Sequence, residues 1–310
     1  MGDSAPPRRW VELSLFAAPE AVDAVAEVFR SHGVTGVAVE EEIAAGGDEG
    51  FDRTGASARI LAYVPDGADA GDKVRRIEEG IWHLRAFDLA PMSPVTTRLL
   101  DEEDWATAWK EHFHPLRVGR RIVVKPTWRD YESSAGDVVI ELDPGMAFGT
   151  GLHPTTRMML EVMETSGVVT TDSSVLDVGT GSGILAIAAA KLGARRIVAL
   201  DVEAVAVDVA TENVSVNEVS DVVTVAKGSI DDSEETFDVI FANIIATVIA
   251  DMVPDFAERM TPASTLLVSG IIDERAHLVA DAFERSNIRI AETRRDGDWI
   301  CHTARLRPPE

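Results

Sequence analysis

The sequence predicts a two-domain protein in which a small α+β domain precedes a larger α/β domain. From Ser173 onwards, short apolar strands alternate with helical segments, which is typical of a parallel sheet covered by helices on both faces. Residues 1–100 instead contain four strand-like and two helical segments in another order. The chain of 310 residues is long enough for two such units, and 45% of its residues are hydrophobic, which is enough for a sizeable core.

Composition indicates a soluble protein of a reducing compartment, and we expect it in the cytoplasm. The single cysteine, Cys301, excludes an internal disulfide. No apolar signal core follows the first charges, and no apolar run approaches the roughly 20 residues that span a bilayer. We therefore expect no membrane partner.

The charge is strongly acidic, because 53 aspartates and glutamates stand against 29 lysines and arginines, for a net charge of −24. Such a surface repels duplex nucleic acid, so we expect no direct nucleic-acid recognition. Two interpretations of the acidity remain open. It can serve solubility or a salt-adapted host, or it can attract a basic macromolecular substrate.

The first 100 residues follow the order β-α-β-β-α-β, which is the ferredoxin-like pattern. Strands alternate apolar and polar side chains, whereas helices repeat apolar ones every three or four residues. The strands are predicted at residues 10–16, 36–40, 59–64 and 95–100, and the helices at residues 19–33 and 70–87. We assign residues 1–100 to this domain.

A short amphipathic helix is expected to connect the two domains. Acidic residues crowd its first turn, and Trp105, Trp109 and Phe113 repeat every four residues. We assign residues 101–118 to this linker and residues 119–310 to the second domain.

The second domain begins with two extended segments and then alternates strands with helices. The extended segments are residues 121–125 and 138–142. Strands are predicted at residues 175–178, 197–201, 222–226, 237–242 and 265–269, and helices at 184–192, 204–217, 246–260 and 274–286. Two final strands, residues 288–294 and 299–306, are expected to form a closing hairpin.

The sharpest local signal is a glycine-rich turn between the first strand and the first helix of this alternation. Apolar strand residues lead directly into Gly179, Gly181 and Gly183. Glycine permits a tight turn and lets a ligand approach the backbone. Asp201 ends the next strand, where a carboxylate can accept both ribose hydroxyls of an adenosine.

The spacing of the glycines distinguishes between nucleotides. In the dinucleotide fingerprint the third glycine comes three residues after the second, whereas Gly183 comes two residues after Gly181. The spacing G-x-G-x-G after a strand-ending acid, Asp177, resembles the Rossmann-like domain of class I S-adenosylmethionine methyltransferases. An NAD-type site and a glycine turn without any ligand remain alternatives.

Two further segments resemble the bacterial ribosomal protein L11 methyltransferase family. Residues 143–157, DPGMAFGTGLHPTTR, are similar to the signature of that family, and Asn243-Ile-Ile-Ala is similar to its Asn-Ile-Leu-Ala motif. The tryptophan-rich connector and the Ser269-Gly-Ile-Ile segment resemble it too. The resemblance is strong over residues 101–306, whereas residues 1–100 match the family in the order of strands and helices more than in sequence.

The resemblance implies an enzyme that transfers methyl groups from S-adenosyl-L-methionine to lysine or N-terminal amines of a protein, most of all ribosomal protein L11. It also implies that residues 1–100 recognise this substrate. The positions that should touch the cofactor are Thr156, Gly179, Gly181, Asp201 and Asn243. Phe148 can place its ring near the positive sulfonium, or it can be an ordinary aromatic beside a hinge.

Asn243 is the predicted catalytic residue, because it ends a strand at the edge where α/β sheets bind ligands. Methyltransferases with an Asn-Pro-Pro-aromatic motif use the Asn oxygen and the next carbonyl to accept hydrogen bonds from a planar amino group. Here Ile244 and Ile245 replace the prolines and no aromatic follows, which favours an aliphatic amine over adenine. The alternative is an asparagine that only caps the next helix. For His153, capping the helix or spacing the loop is preferred to the role of a base.

Methyl transfer from a sulfonium to an amine depends on alignment and on a neutral amine. The sequence accordingly nominates no general base, and no metal site is expected. Three alternatives stay open: a methyltransferase for another protein's lysines, a cofactor-binding module without catalysis, and an NAD oxidoreductase.

Overall fold

The chain forms two compact units, Met1–His114 and Pro115–Glu310. The computed structural model describes residues 9–18, 21–32, 34, 37–42, 57–67, 69–86, 92–101, 114–143, 153–232 and 235–308. The predicted linker helix around Trp105, Trp109 and Phe113 therefore lies outside the described residues.

The first unit has the predicted ferredoxin-like layout. Its elements are β1 (Arg9–Ala17), α1 (Val22–Ser31), β2 (Val37–Glu42), β3 (Ser57–Pro65), α2 (Ala70–Ala86) and β4 (Thr96–Asp101). The strands form one antiparallel sheet in the order β2-β3-β1-β4. Both helices bury apolar side chains against one face of this sheet, where Phe29 and Ile77 pack in one cluster with Leu13 and Ile60.

The second unit contains two sheets and five α-helices among the described residues. Its elements are β5 (Leu116–Val118), β6 (Ile122–Lys125), β7 (Val138–Glu141), α3 (Pro154–Ser166), β8 (Ser174–Val178), α4 (Ile184–Lys191), β9 (Arg196–Asp201), α5 (Ala204–Val216), β10 (Val223–Lys227), β11 (Phe237–Asn243), α6 (Ala246–Glu258), β12 (Met260–Ile272), α7 (Ala276–Arg285), β13 (Ile288–Asp296) and β14 (Trp299–Leu306). None of the described helices has the length and apolar character needed to cross a bilayer.

The large sheet has the order β10-β9-β8-β11-β12-β14-β13. Strands β8 to β12 run parallel, and β14 is antiparallel to both of its neighbours, so the predicted closing hairpin is confirmed. Side chains of one strand alternate between the faces. In β8, Val175 packs in the core with α3, α4 and α5, and Leu176 packs with α6 and α7. Helices therefore cover both faces, as predicted.

The small sheet β5-β6-β7 was predicted only in part. The two expected extended segments form β6 and β7, which pair in parallel, whereas β5 lies antiparallel to β6. Strand β5 falls at the end of the segment assigned to the linker helix, and its three residues are too few to show a periodicity. Glu164 of α3 accepts hydrogen bonds from the backbone N–H groups of Arg120 and Arg121 at 2.7 and 2.5 Å. These bonds join the turn between β5 and β6 to α3.

The element boundaries differ most from the sequence prediction in β12, which was expected at residues 265–269 and spans Met260–Ile272. Strand β12 continues from Ser269 through Gly270 to Ile272, with a register shift against β14 between Val268 and Ile271. The glycine therefore lies at an irregularity inside the strand and not at its end. The last helix begins at Ala276, because residues 273–275 form a 3₁₀ turn first.

His302 of β14 is a buried histidine. Its ring packs edge-to-face against Phe283 with centroids 6.4 Å apart, and its Nδ1 lies 2.9 Å from the Thr293 hydroxyl. Its Nε2 is buried and has no hydrogen-bond partner among the described residues. Burial, with a smaller contribution from Arg295, lowers the pKa of His302 from 6.5 to about 4. The His302 ring is therefore neutral in the folded protein near pH 7.

We expect the free energy of unfolding to fall as the pH drops from about 6.5 to about 4. In that range the unfolded chain binds a proton that the folded His302 does not, which destabilises the fold by up to about 3 kcal/mol. The variant His302→Gln should lose this part of the pH dependence. Urea unfolding near pH 7 and near pH 4.5 measures it, with the exposed His277→Gln as control. An unchanged pH dependence in His302→Gln would contradict the assignment.

Candidate active site

The glycine loop begins where β8, the middle one of the five parallel strands, ends. Strands β8 and β9 finish side by side, because the N–H groups of Gly179 and Thr180 both donate to the Leu200 carbonyl at 2.9 and 3.0 Å. Gly179, Gly181 and Gly183 have φ angles of 71°, 56° and 82°, which glycine adopts readily. Strand β8 also lies between β9 and β11, where the strand order reverses. Open α/β sheets bind ligands at such a switch point.

A buried carboxyl group supports this loop from within the sheet. Asp177 is 1% exposed, and it accepts a hydrogen bond from the Thr180 hydroxyl at 2.7 Å. Burial is the main cause that raises the pKa of Asp177 to about 6, and the charge of Asp201 adds to the increase. Hydrogen bonds from the Thr180 hydroxyl and the Ala186 N–H act in the opposite direction and lower the pKa. Asp177 therefore helps to fix the conformation of the loop through its hydrogen bond from Thr180.

Asp201 is positioned to accept hydroxyl groups. Its two oxygens accept the backbone N–H groups of Gly181 at 2.9 Å and Glu203 at 3.0 Å, which orients the carboxylate. A carboxylate has about four lone-pair sites, so acceptor capacity remains for two further donors. This arrangement fits the vicinal hydroxyls of a ribose.

The opposite wall combines the start of α3 with the end of β11. His153 Nδ1 accepts the Thr155 N–H at 3.4 Å and lies 2.7 Å from the Thr155 hydroxyl, so its predicted capping role is confirmed. Its ring packs edge-to-face on Trp299 with centroids 4.8 Å apart. Thr156 follows, fully buried, and its hydroxyl accepts a hydrogen bond from Asn243 Nδ2 at 3.1 Å. Two segments that are 87 residues apart are thereby joined.

Asn243 is not the cap of the following helix. The N-cap of α6 is Ile245, and no side chain caps it, so the structural alternative for Asn243 is not supported. Its Oδ1 is buried and accepts no hydrogen bond within the described part of the chain. A buried polar atom without a partner costs roughly 1–3 kcal/mol. A donor on a bound ligand would recover that cost.

The predicted site residues of the described segments surround one cavity of about 310 Å³. It is lined by Thr156, Gly179, Gly181, Asp201 and Asn243, together with the apolar side chains of Val202, Ile244, Val248 and Met252. A carboxylate beside apolar walls suits a nucleoside, which offers hydroxyls and a flat ring. Phe148 lies outside the described residues, and its role stays a prediction.

A second cavity, of about 280 Å³, lies at the opposite ends of the parallel strands. It is lined by polar residues that include Asp172, Asp238 and Arg305. None of the predicted site residues lies there. Among the described residues, no group of three or more His, Cys, Asp or Glu side chains is placed to hold a metal ion. The carboxyl edge of the sheet is therefore the candidate site.

Sequence reasoning missed the part that Gly270 plays in this region. Its φ is 83°, and a Cβ atom on it would overlap the carbonyl oxygen of Ile244 and lie 2.8 Å from the carbonyl carbon. Close packing of two backbones requires glycine here. The available signal was a glycine between the apolar, strand-like residues Val268 and Ile271, which indicates a bulge or a close backbone approach.

Comparison with known proteins identifies the family. A family model described as ribosomal protein L11 methyltransferase (PrmA) matches residues 9–307. The chain belongs to the ribosomal protein L11 methyltransferase family. Family members named ribosomal protein L11 methyltransferase, from Chloroflexus aurantiacus and Pelotomaculum thermopropionicum, are each 41% identical to it. The matches cover 94% and 96% of this chain, and 96% and 99% of the relatives.

A solved structure of this family shares its fold with 63% of this chain. The crystal structure of ribosomal protein L11 methylase from Lactobacillus delbrueckii subsp. bulgaricus is 33% identical, with a TM-score of 0.59. It covers 63% of this chain and 100% of that chain. The predicted fold class, methyltransferase activity and methyl donor, S-adenosylmethionine, are confirmed by this family membership. It does not favour an NAD oxidoreductase or a non-catalytic module.

Replacing Asp201 with Ala should weaken the binding of S-adenosylmethionine at least tenfold. The ribose hydroxyls would lose a charged acceptor, worth roughly 1.5–3 kcal/mol per hydrogen bond, and the Gly181 N–H would lose its partner. Isothermal titration calorimetry measures the dissociation constant. Asp208→Ala, an exposed position on α5, is the matched control and should bind like the wild type. Equal affinities in the two variants would remove Asp201 from the site.

Proposed function

We propose that this enzyme methylates amino groups of ribosomal protein L11, at lysine side chains, N-terminal amines or both. The names of its relatives support the substrate. The main structural support is that three features line one cavity: the glycine loop, the Asp201 carboxylate and the Asn243 amide. The first two suit the methyl donor, and the third suits an amine acceptor.

The residues present fit S-adenosylmethionine. Asp201 would hold the ribose hydroxyls, and the backbone of Gly179 and Gly181 would lie along the ligand. Thr156 lies in the first turn of α3, whose N-terminal N–H groups suit the carboxylate of the methionine moiety. Val202, which lines the cavity, offers an apolar surface to a flat ring. When bound, this donor supplies a sulfonium whose methyl group can be displaced in line by an amine.

The chain's own residues have to position and desolvate the amine. A lysine amine has an ordinary pKa near 10.4, and an apolar environment lowers it towards the neutral, nucleophilic form. Ile244 and Val248 line the cavity, and Ile245 beside them is 62% exposed, so an aliphatic chain would meet apolar side chains here. Asn243 would accept a hydrogen bond from the amine and orient it. Holding the reacting atoms in line is then the main contribution to the rate.

We further propose that residues 1–100 recognise the protein substrate and that residues 119–310 perform the chemistry. Protein partners typically bury about 800 Å² each, which is more than an amine pocket offers. The excess of acidic residues favours a basic partner over nucleic acid. A ribosomal protein as substrate also favours the cytoplasm as the place of action.

Labelled S-adenosylmethionine should transfer its methyl group to purified L11, and to one band of that mobility in a ribosomal extract. Asn243→Ala should lower the rate at saturating substrates by about ten- to a hundredfold, because its hydrogen bond to the nitrogen strengthens to roughly 1.5–3 kcal/mol as positive charge develops there in the transition state. Circular dichroism and thermal unfolding control for folding. Label on a different protein would support the alternative substrate, and full activity of Asn243→Ala would remove that residue from catalysis.

A chain that begins at Pro115 should bind S-adenosylmethionine with nearly wild-type affinity and yet fail to methylate L11. Its two apolar cores contain only residues of the second unit, whereas the core of the first unit is separate, so it should fold. Calorimetry for the cofactor and the labelling assay for L11 measure the two properties on one sample. Full-rate methylation by the shortened chain would place recognition in the second unit.

A further inference from the structure

Ile244 lies between two glycines that belong to different parts of the site. On one side is Gly179, the first glycine of the loop after β8. On the other is Gly270, inside β12. Neither glycine can take a side chain without displacing Ile244. The residue that follows the predicted catalytic Asn243 is therefore held from two directions.

The contact with Gly270 is made by the backbone of Ile244. Strands β11 and β12 pair in parallel with Asn243 opposite Ser269, so the next residues of each strand come side by side. A Cβ on Gly270 would overlap the Ile244 carbonyl oxygen and lie 2.8 Å from its carbonyl carbon and 3.0 Å from its nitrogen. Backbone atoms at the end of a strand cannot rotate away as a side chain can. An added methyl group must therefore push the peptide of Ile244 out of place.

The contact with Gly179 is made by the side chain of Ile244. A Cβ on Gly179 would lie 2.5 Å from Ile244 Cγ2. This methyl group therefore fills the space between the loop that is expected to hold the donor and the segment that is expected to hold the acceptor. Beyond it the chain is fixed again, because Ile245 is the N-cap of α6 and its carbonyl accepts the Ile249 N–H at 3.1 Å.

We propose that Gly270 and Ile244 are positioning residues that set the distance between the methyl donor and the acceptor amine. This inference rests on the proposed function, in particular on the role of Asn243. Gly270 gives the Ile244 peptide room to pack on β12, and Ile244 Cγ2 keeps that peptide at a fixed separation from the cofactor loop. Neither residue exchanges a proton or contributes a charge to the reaction.

The arrangement predicts an effect on the chemical step and little effect on donor binding. Displacement of a reacting group by about 1 Å can slow a reaction by about a hundredfold. Gly270 does not line the cavity, and the nearest atoms that a methyl group there would meet all belong to Ile244. We therefore expect kcat to fall while the dissociation constant of S-adenosylmethionine stays nearly constant.

The first experiment compares Gly270→Ala with Gly297→Ala. Both glycines have positive φ angles, 83° and 56°, so alanine strains the backbone at both, but a Cβ on Gly297 meets nothing within 4 Å. Gly270→Ala should lower kcat on L11 at least tenfold, with the dissociation constant of S-adenosylmethionine within about twofold of the wild type. Gly297→Ala should keep the wild-type kcat. Equal kcat in the two variants overturns the role of Gly270.

The second experiment tests the same inference if the Gly270→Ala variant does not fold. Ile244→Ala removes Cγ2, whereas Ile244→Val keeps it and loses only the terminal methyl. At saturating donor and acceptor, Ile244→Ala should be at least tenfold slower than wild type, and Ile244→Val less than threefold slower. Equal rates for the two Ile244 variants overturn the inference. The wild-type protein is assayed on L11 in parallel. If it does not methylate L11, the proposed function is wrong; if it does and the two Ile244 variants are equally fast, only the positioning role is wrong.

Discussion

The parallel register of β8, β9 and β11 is the constraint on which the rest of the site depends. Adjacent parallel strands end at one edge, and their hydrogen bonds fix how far each extends beyond its neighbour. Gly179, Asp201 and Asn243 are the residues at or just after those three ends. They lie up to 64 positions apart in the sequence, and the sheet alone brings them to one cavity. A slip in register would separate the residues that we propose to hold the methyl donor from Asn243, which we propose to orient the acceptor.

The register is stable because the parallel strands are buried on both faces. Helices α3 to α5 and helices α6 to α7 cover opposite sides, so each strand contributes apolar side chains to two cores. A buried sheet of this kind leaves only its edges and strand ends for polar function. That explains why Asp177 can be almost fully buried just before the loop while Asp201, at the end of the next strand, lines the cavity.

Much of this organisation could be predicted from the sequence, because it depends on local signals. Glycine spacing, the acid at the end of β9 and apolar strands each leave a pattern in neighbouring residues. The hydrogen bond between Thr156 and Asn243 leaves none, since it joins residues from α3 and β11 through the tertiary fold. Strand β5 is too short for a periodicity, and Gly270 suggested a strand end because a bulge and a break look alike in a sequence. The assignments of Phe148 and of the linker around Trp105 remain predictions.

The chemistry explains why the site needs rigid backbone more than reactive side chains. An amine that displaces a sulfonium meets a leaving group that needs no proton, so no acid has to be supplied. The remaining demands are a neutral amine and a short, straight approach, and both are met by packing and desolvation. At this edge, glycines allow backbone segments to approach closely, and isoleucine and valine side chains line the cavity with apolar surface. In the proposed mechanism, Asn243, hydrogen-bonded to Thr156, only orients the amine, which an uncharged amide can do without stabilising the protonated, unreactive amine as a carboxylate would.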